Sequence, residues 1–299
     1  MASGEQLDAV PEPDKNKRQL TKPPTPIQFF TNNTSDWQDA YPGEQWSFTN
    51  TFTTPFSSPP QIIPTFSDFD VGNNADDHTF RLGVTINDTD ISATEVKSTI
   101  AGWDDTTVYS ASTILMAIPP VSPFQADTVS VPAGGLSGYY VTFKPEFFTQ
   151  PQVFATFTSL SLSIGYRLEI NVSNITKTGF MLDVNTWGSP VLNSATIQWL
   201  AWPGGNTQLG AYEVHKFNQL SESVNGHFDF NEKFTKPPNM FMGISKMDIA
   251  GSANARLTLT TDATTKSCNW EFRTWGDTVI WELDVHYLAV GDVVFPEGE

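Results

Sequence analysis

Three arginines share one local frame. Arg81, Arg167 and Arg256 each open the pattern Arg-Leu-x-aliphatic, as Arg81-Leu82-Gly83-Val84, Arg167-Leu168-Glu169-Ile170 and Arg256-Leu257-Thr258-Leu259. A tryptophan follows each of them, Trp103, Trp187 and Trp275, at intervals of 22, 20 and 19 residues. A guanidinium offers five donors in a rigid fork, and an indole offers a flat apolar face. Such a pair can hold a ligand that carries acceptors along one edge and C–H groups on one side. The same residues also have an ordinary reading, an ion-paired or solvated arginine and a core tryptophan. Two-residue alternation bears on that choice: Leu82, Val84 and Ile86 share one parity, and Arg81, Gly83 and Thr85 the other. Leu168, Ile170 and Val172 alternate likewise with Arg167, Glu169 and Asn171. The arginine therefore sits on the polar side of a strand, where core packing does not call for it.

The elements that carry these residues recur with them. A proline pair or Gln-Pro precedes each arginine, as Pro59-Pro60, Gln150-Pro151 and Pro237-Pro238, and successive arginines lie 86 and 89 residues apart. The period is that of a small domain repeated three times. The spacing divides the chain into a tail over 1–26 and repeats over 27–121, 122–206 and 207–299. The tail contains MASGEQLDAVPEPDKNKRQL, without aromatics, and leads into TKPPTP, so it reads as disordered. Its cluster Lys15, Lys17, Arg18 reads as solvated charge. Each repeat is too small to bury a large core alone, and the three are expected to pack on one another.

Helical periodicity is absent after Gln28. Segments rich in Val, Ile, Phe, Thr and Trp run over 152–158, 179–185, 195–202, 240–244, 270–274 and 281–290, separated by Gly, Asn, Asp, Ser and Pro. About six short strands per repeat with no intervening helix predict an all-β chain of three tandem six-stranded antiparallel β-sandwiches.

A net charge of −17, from 33 acidic and 16 basic residues, argues against a nucleic-acid partner, whose recognition begins with a cationic surface. Insertion into a membrane is not expected, because no segment approaches the roughly 20 apolar residues of a span. The first 30 residues lack a secretory apolar core, which predicts a cytoplasmic protein or one secreted without a classical signal. The single cysteine, Cys268, leaves no internal disulfide and reads as a small strand residue. Sequons at Asn32, Asn33, Asn87, Asn171 and Asn174 carry little weight in that setting. The four histidines, His78, His215, His227 and His286, occupy unrelated places in the repeats, so no triplicated His-centred catalytic site is expected, nor any cofactor. The stretch Asp68, Asp70, Asn73, Asn74, Asp76, Asp77, His78 is dense in oxygen ligands but lacks EF-hand spacing, and is read as an acidic surface loop.

The ordered set of Pro-Pro, Arg-Leu-x-aliphatic, Thr178-Gly179-Phe180 and Thr-Trp-Gly (Thr186-Trp187-Gly188, Thr274-Trp275-Gly276) resembles the H-type lectin domain. That family includes the snail agglutinin specific for N-acetylgalactosamine and the C-terminal domain of discoidins. The first repeat matches the same frame more loosely. The resemblance implies an intramolecular pseudo-trimer of sandwiches, a non-enzymatic lectin, and glycans of glycoproteins or glycolipids as partners, with galactose or N-acetylgalactosamine at their termini. It leaves a further homo-oligomer open, and a structural protein that kept the fold without the sugar is the alternative.

Carried onto this sequence, the family's sugar-binding arginine falls on Arg81, Arg167 and Arg256, and its aromatic wall on Trp103, Trp187 and Trp275. A second aromatic six residues on falls on Tyr109 and Trp281; repeat two has Asn193 there, which predicts that its site is the weakest. The snail histidine after the tryptophan is replaced by Asp104, Gly188 and Gly276, so Asp104 alone keeps an acceptor. The family's upstream acid is assigned to Asp39 and Asp127, with none for repeat three.

Overall fold

The alternation of apolar and polar residues produces strands and little else. The structure is a computed structural model that describes residues 26–34, 40–73, 78–120, 122–203, 207–215 (backbone only) and 222–293. Most of the tail, with Lys15, Lys17 and Arg18, lies outside the described residues, as do Asp39, Asn74, Asp76 and Asp77.

Six strands form in each repeat. Repeat one contributes β1 (Gln28–Asn33), β2 (Gln45–Thr51), β3 (Gln61–Val71), β4 (Phe80–Thr85), β5 (Glu95–Ala101) and β6 (Val108–Ile118). Repeat two contributes β7 (Gln125–Val131), β8 (Leu136–Thr142), β9 (Gln152–Ser163), β10 (Tyr166–Ser173), β11 (Gly179–Asn185) and β12 (Val191–Trp202). Repeat three contributes β13 (Thr207–His215), β14 (Ser223–Asp229), β15 (Asn239–Ile249), β16 (Ala255–Ala263), β17 (Ser267–Arg273) and β18 (Ile280–Val290). Five of the six segments expected from sequence fall wholly within strands, several of which run longer, and the sixth, 270–274, passes the end of β17 by one residue.

No sheet belongs to one repeat. The three six-stranded sheets run β1-β6-β3-β16-β17-β14, β13-β18-β15-β10-β11-β8 and β2-β5-β4-β9-β12-β7. Within a repeat, three strands form one face of the sandwich and three the other. Each half-sheet is then extended by the opposite half of a neighbouring repeat, through the antiparallel ladders β3–β16, β9–β4 and β15–β10. Repeat one is thus joined to three, two to one and three to two, which closes a ring. The joins leave each repeat with only its two outermost strands as edges, which limits unpaired backbone.

The burial follows the parity read from sequence: Leu82, Leu168 and Leu257 are buried, and the arginines beside them are half-buried. One apolar core runs through all three repeats, and includes Phe66 stacked on Phe157 at 5.8 Å. A second cluster repeats three places of the ring, with Ile63, Phe154 and Phe241 on β3, β9 and β15, and Ile118, Trp202 and Val290 at the ends of β6, β12 and β18. Cys268 is buried in β17, as expected of a small strand residue, and desolvation pushes its thiol up to about 11.

Candidate functional site

Each arginine stands on a join. The register pairs Arg81 of β4 with Ser161 of β9, Arg167 of β10 with Asp248 of β15, and Arg256 of β16 with Asp70 of β3. Paired residues of an antiparallel ladder point to the same face, so each arginine stands opposite a side chain of the neighbouring repeat. Arg167 Nε donates to Asp248 Oδ1 at 2.9 Å, and Arg256 Nε donates to Asp70 Oδ2 at 3.1 Å. Ser161 cannot play that part, and Arg81 instead turns to its own repeat's loop: Nη1 donates to Asp105, and Nε lies 3.5 Å from Asp104 Oδ2. Arg256 reaches the equivalent loop too, with Nη1 2.6 Å from Asp277 Oδ1 and 3.3 Å from Thr278 Oγ1. The three side chains remain 15, 28 and 16 % exposed for Arg81, Arg167 and Arg256, so solvent reaches each.

The tryptophan loops belong to the same sheets as their arginines. Trp103 follows β5, Trp187 follows β11 and Trp275 follows β17, the strands that flank β4, β10 and β16. The Trp103 indole lies over Gly83, the outward residue two places beyond its arginine and about 7 Å along the strand. A Cβ placed on Gly83 would come 3.4 Å from the Trp103 ring. The Trp187 ring lies 5.5 Å from Lys246 Nζ, which sits across the ladder from Glu169. Trp275 lines a cleft of 280 Å³ with Thr258. Arginine and indole are therefore neighbours on one surface, with the arginine's charge held by carboxylates.

The position after the tryptophan is fixed by backbone conformation. Asp104, Gly188 and Gly276 all lie in the left-handed region, at φ +54°, +72° and +66°. A Cβ on Gly188 or Gly276 would stand 2.8 or 2.7 Å from the arginine Nη1, so glycine lets the loop close on the guanidinium.

Two placements differ from the sequence reading. Tyr109 and Trp281 do not join the arginines of their own repeats. Trp281 lies at a bulge of β18, in the sheet of Arg167, next to Glu282, which pairs with Asp248. Tyr109 lies at the matching bulge of β6, in the sheet of Arg256, next to Ser110, which pairs with Asp70. The same rule carries Asn193 to the sheet of Arg81, where its Nδ2 is 3.5 Å from Ser161 Oγ and 3.3 Å from Ser163 Oγ. The surface without a second aromatic is that of Arg81, not that of Arg167, because strands three and six of one repeat extend the sheet of another. Asp127 is also not brought to an arginine row. It pairs with Trp199, which pairs with Ala155, six places from Ser161 on β9, about 20 Å. Its carboxylate accepts the Thr128 amide at 2.8 Å.

Asp68 and Asp70, read as part of an acidic loop, are strand residues on the polar face of β3. Asp68 accepts the Thr258 hydroxyl, and burial raises its pKa above the usual carboxylate value despite that bond. Burial likewise raises Asp248, outweighing Arg167. Lys246 loses solvation, yet Glu282 at 2.7 Å and Glu169 at 3.4 Å hold its pKa up. Asp277 is pulled down by its bond to Arg256. Among the described residues no group of three or more His, Cys, Asp or Glu could hold a metal ion. Asp248, Asp105, Asp277 and Lys246 were not singled out from sequence, and Asp70 was read only as part of an acidic loop. The spacing Trp-x-Asp in repeats one and three was the available signal for Asp105 and Asp277.

The model of the H-type lectin domain matches three times, over residues 47–118, 139–202 and 225–290. No curated protein matches the chain. Two solved structures do, both of discoidin II from Dictyostelium discoideum. The recombinant protein aligns at 13 % identity over 89 % of this chain and 96 % of its own, with a TM-score of 0.27. The wild-type protein aligns at 13 % identity over 90 % and 94 %, with a TM-score of 0.26. Among the described residues no helix is long and apolar enough to cross a membrane. With three matches spanning most of its length, this chain belongs to the H-type lectin domain family.

Proposed function

We propose that the chain is a non-enzymatic, multivalent lectin that binds glycans ending in galactose or N-acetylgalactosamine at the three joins between repeats. The observation that supports it is the triplicated surface: a half-buried arginine on the polar face of a shared sheet, with an indole beside it, in each of three domains of a lectin family. Arg81, Arg167 and Arg256 supply donors to hydroxyl pairs, and Trp103, Trp187 and Trp275 supply a wall for the C–H face. Trp281 and Tyr109 add a second aromatic on the surfaces of Arg167 and Arg256. A charge-assisted hydrogen bond contributes about 1.5–3 kcal/mol. A single sugar site of millimolar affinity corresponds to about 4 kcal/mol, and linking three can raise avidity about 10² to 10⁴-fold, which permits agglutination.

Replacing Arg81, Arg167 and Arg256 together by Ala is expected to remove glycan capture on an array while the thermal transition persists; retained capture would overturn the site assignment. A second reading has its own support in the ion pairs Arg167–Asp248 and Arg256–Asp70, which engage two arginines in holding repeats together. On that reading the chain is an assembly module without sugar binding. Silence on galactose and N-acetylgalactosamine arrays, and in erythrocyte agglutination at high protein concentration, would select it.

A further inference from the structure

A further cleft is remote from the arginines. It measures 740 Å³ and opens between the edge strands β7 and β8 of repeat two. That volume falls in the range of about 300–1,000 Å³ usual for small-ligand sites. Repeats one and two differ at two facing positions there. Every repeat has the same edge-to-face pair of phenylalanines at the end of its second strand, Phe52–Phe56 at 4.9 Å, Phe143–Phe147 at 4.9 Å and Phe230–Phe234 at 5.0 Å. In repeat one Phe30 of the edge strand β1 packs on Phe52 at 5.7 Å and joins that apolar cluster. The register places Phe30 opposite Leu115 and Asp127 opposite Trp199, the same position in the two repeats. In repeat two Trp199 takes the place of Leu115 and packs on Phe143 at 5.9 Å, while Asp127 brings a carboxylate to the cleft where repeat one has Phe30.

The walls of that space are aromatic and in contact with water. Tyr139 and Tyr140 are each 45 % exposed and Phe148 is 98 % exposed, all three lining the cleft over Trp199. The Tyr140 hydroxyl lies 2.8 Å from Thr178 Oγ1, which fixes one wall. Repeat one has Ser57 and repeat three Thr235 at the place of Phe148, counted from the phenylalanine pair. At that place repeat two carries a ring where the other two repeats have a hydroxyl side chain, and the ring borders the cleft. Exposed rings clustered around an open cavity point to a ligand with an apolar face. A wholly apolar ligand would strand the Asp127 carboxylate on the rim; a ring with C–H groups on its faces and hydroxyls on its edge satisfies both.

We propose that repeat two carries a fourth saccharide site in this cleft, with Tyr139 and Phe148 as stacking faces and Asp127 as hydroxyl acceptor. The site is independent of the arginine rows and does not require them to bind sugar. It is tested by saturation-transfer NMR on the full chain with methyl glycosides of galactose, N-acetylgalactosamine, N-acetylglucosamine, glucose and mannose. The R81A/R167A/R256A variant should still receive transfer from at least one glycoside. Adding Tyr139→Ala and Phe148→Ala should reduce that signal at least fivefold, as should Asp127→Ala, which removes the hydroxyl acceptor. Y139A/F148A replaces exposed rings, so its thermal midpoint should stay near that of wild type. Loss of all transfer in the arginine variant, or residual transfer untouched by Y139A/F148A, overturns the site. So does absence of transfer in wild type, including the case where Phe148 instead governs binding to phosphatidylcholine vesicles. Transfer that ignores the arginine changes but vanishes with Y139A/F148A would sink the arginine reading and leave the cleft standing.

Discussion

Arg256 and Asp70 lie 186 residues apart in sequence and are direct partners across the ladder that joins β16 to β3, with Nε 3.1 Å from Oδ2. The guanidinium therefore does two things at once: it closes the ring between repeats three and one, and it lies on the surface beside Trp275. Its pKa reflects that setting. Burial works against the charge, and the bonds and fields of Asp277 and Asp70 outweigh it, holding the pKa above the usual value.

Removing one acid at a join should destabilise the whole chain, because the remaining guanidinium keeps its partial burial and loses a charged acceptor. Asp70→Ala and Asp248→Ala are each expected to cost about 1–3 kcal/mol in chemical denaturation. Ser161→Ala, at the matching place opposite Arg81, should cost less than about 0.5 kcal/mol. Equal effects at all three places would show that the ion pairs do not secure the joins.

The turn after each tryptophan makes a prediction of opposite signs. Gly276→Ala meets the Arg256 Nη1 position at 2.7 Å and sits at φ +66°, so it should lower stability by about 1 kcal/mol or more. Asp104→Gly relieves φ +54° and gives up only an exposed 3.5 Å ion pair with Arg81. It should leave the thermal midpoint unchanged or raise it, within about 1 kcal/mol. A marked loss in Asp104→Gly would mean that the carboxylate, not the backbone, sets this loop.

His286 gives the acid limb of stability. Its Nδ1 is buried without a hydrogen-bond partner among the described residues, and desolvation lowers its pKa. A base depressed in the folded state contributes stability that is fully present above its unfolded value of 6.5 and is lost as pH falls through its folded value. Stability measured from pH 7.5 downward should therefore begin to fall near 6.5, and His286→Phe should flatten that segment. An unchanged slope in the variant would assign the effect elsewhere.

Asp68 acts in the other direction. Its raised pKa means that the folded state favours the neutral acid, so the associated stability is complete below 3.8 and is lost as pH rises through the folded value. Asp68→Asn keeps an oxygen for the Thr258 hydroxyl and should stabilise the protein at pH 7, with the gain shrinking toward pH 4. A destabilised variant at pH 7 would show that the charge is needed.

Cys268 should resist thiol reagents in the native state, since burial and a thiol pKa of about 11 leave little thiolate at neutral pH. Titration with an aromatic disulfide reagent should find one thiol only after unfolding. Rapid reaction of the native protein would contradict the packing of β17.

Much of this architecture is local and therefore readable in one dimension. A period near ninety residues, strands of alternating parity and an arginine on the polar side of its strand are properties of neighbouring residues, and Leu82, Leu168 and Leu257 are buried beside their arginines as that parity requires. What faces each arginine is not local. Strands three and six of a repeat leave for the sheet of the next one, so Trp281 serves the surface of Arg167, Tyr109 that of Arg256, and Asn193 that of Arg81. No spacing within a repeat encodes that exchange; it is decided when backbone edges that would otherwise stay unpaired find each other across the ring. The cleft of repeat two was likewise invisible, because Asp127, Tyr139 and Phe148 lie on separate elements and border one space only once β7 and β8 are brought together.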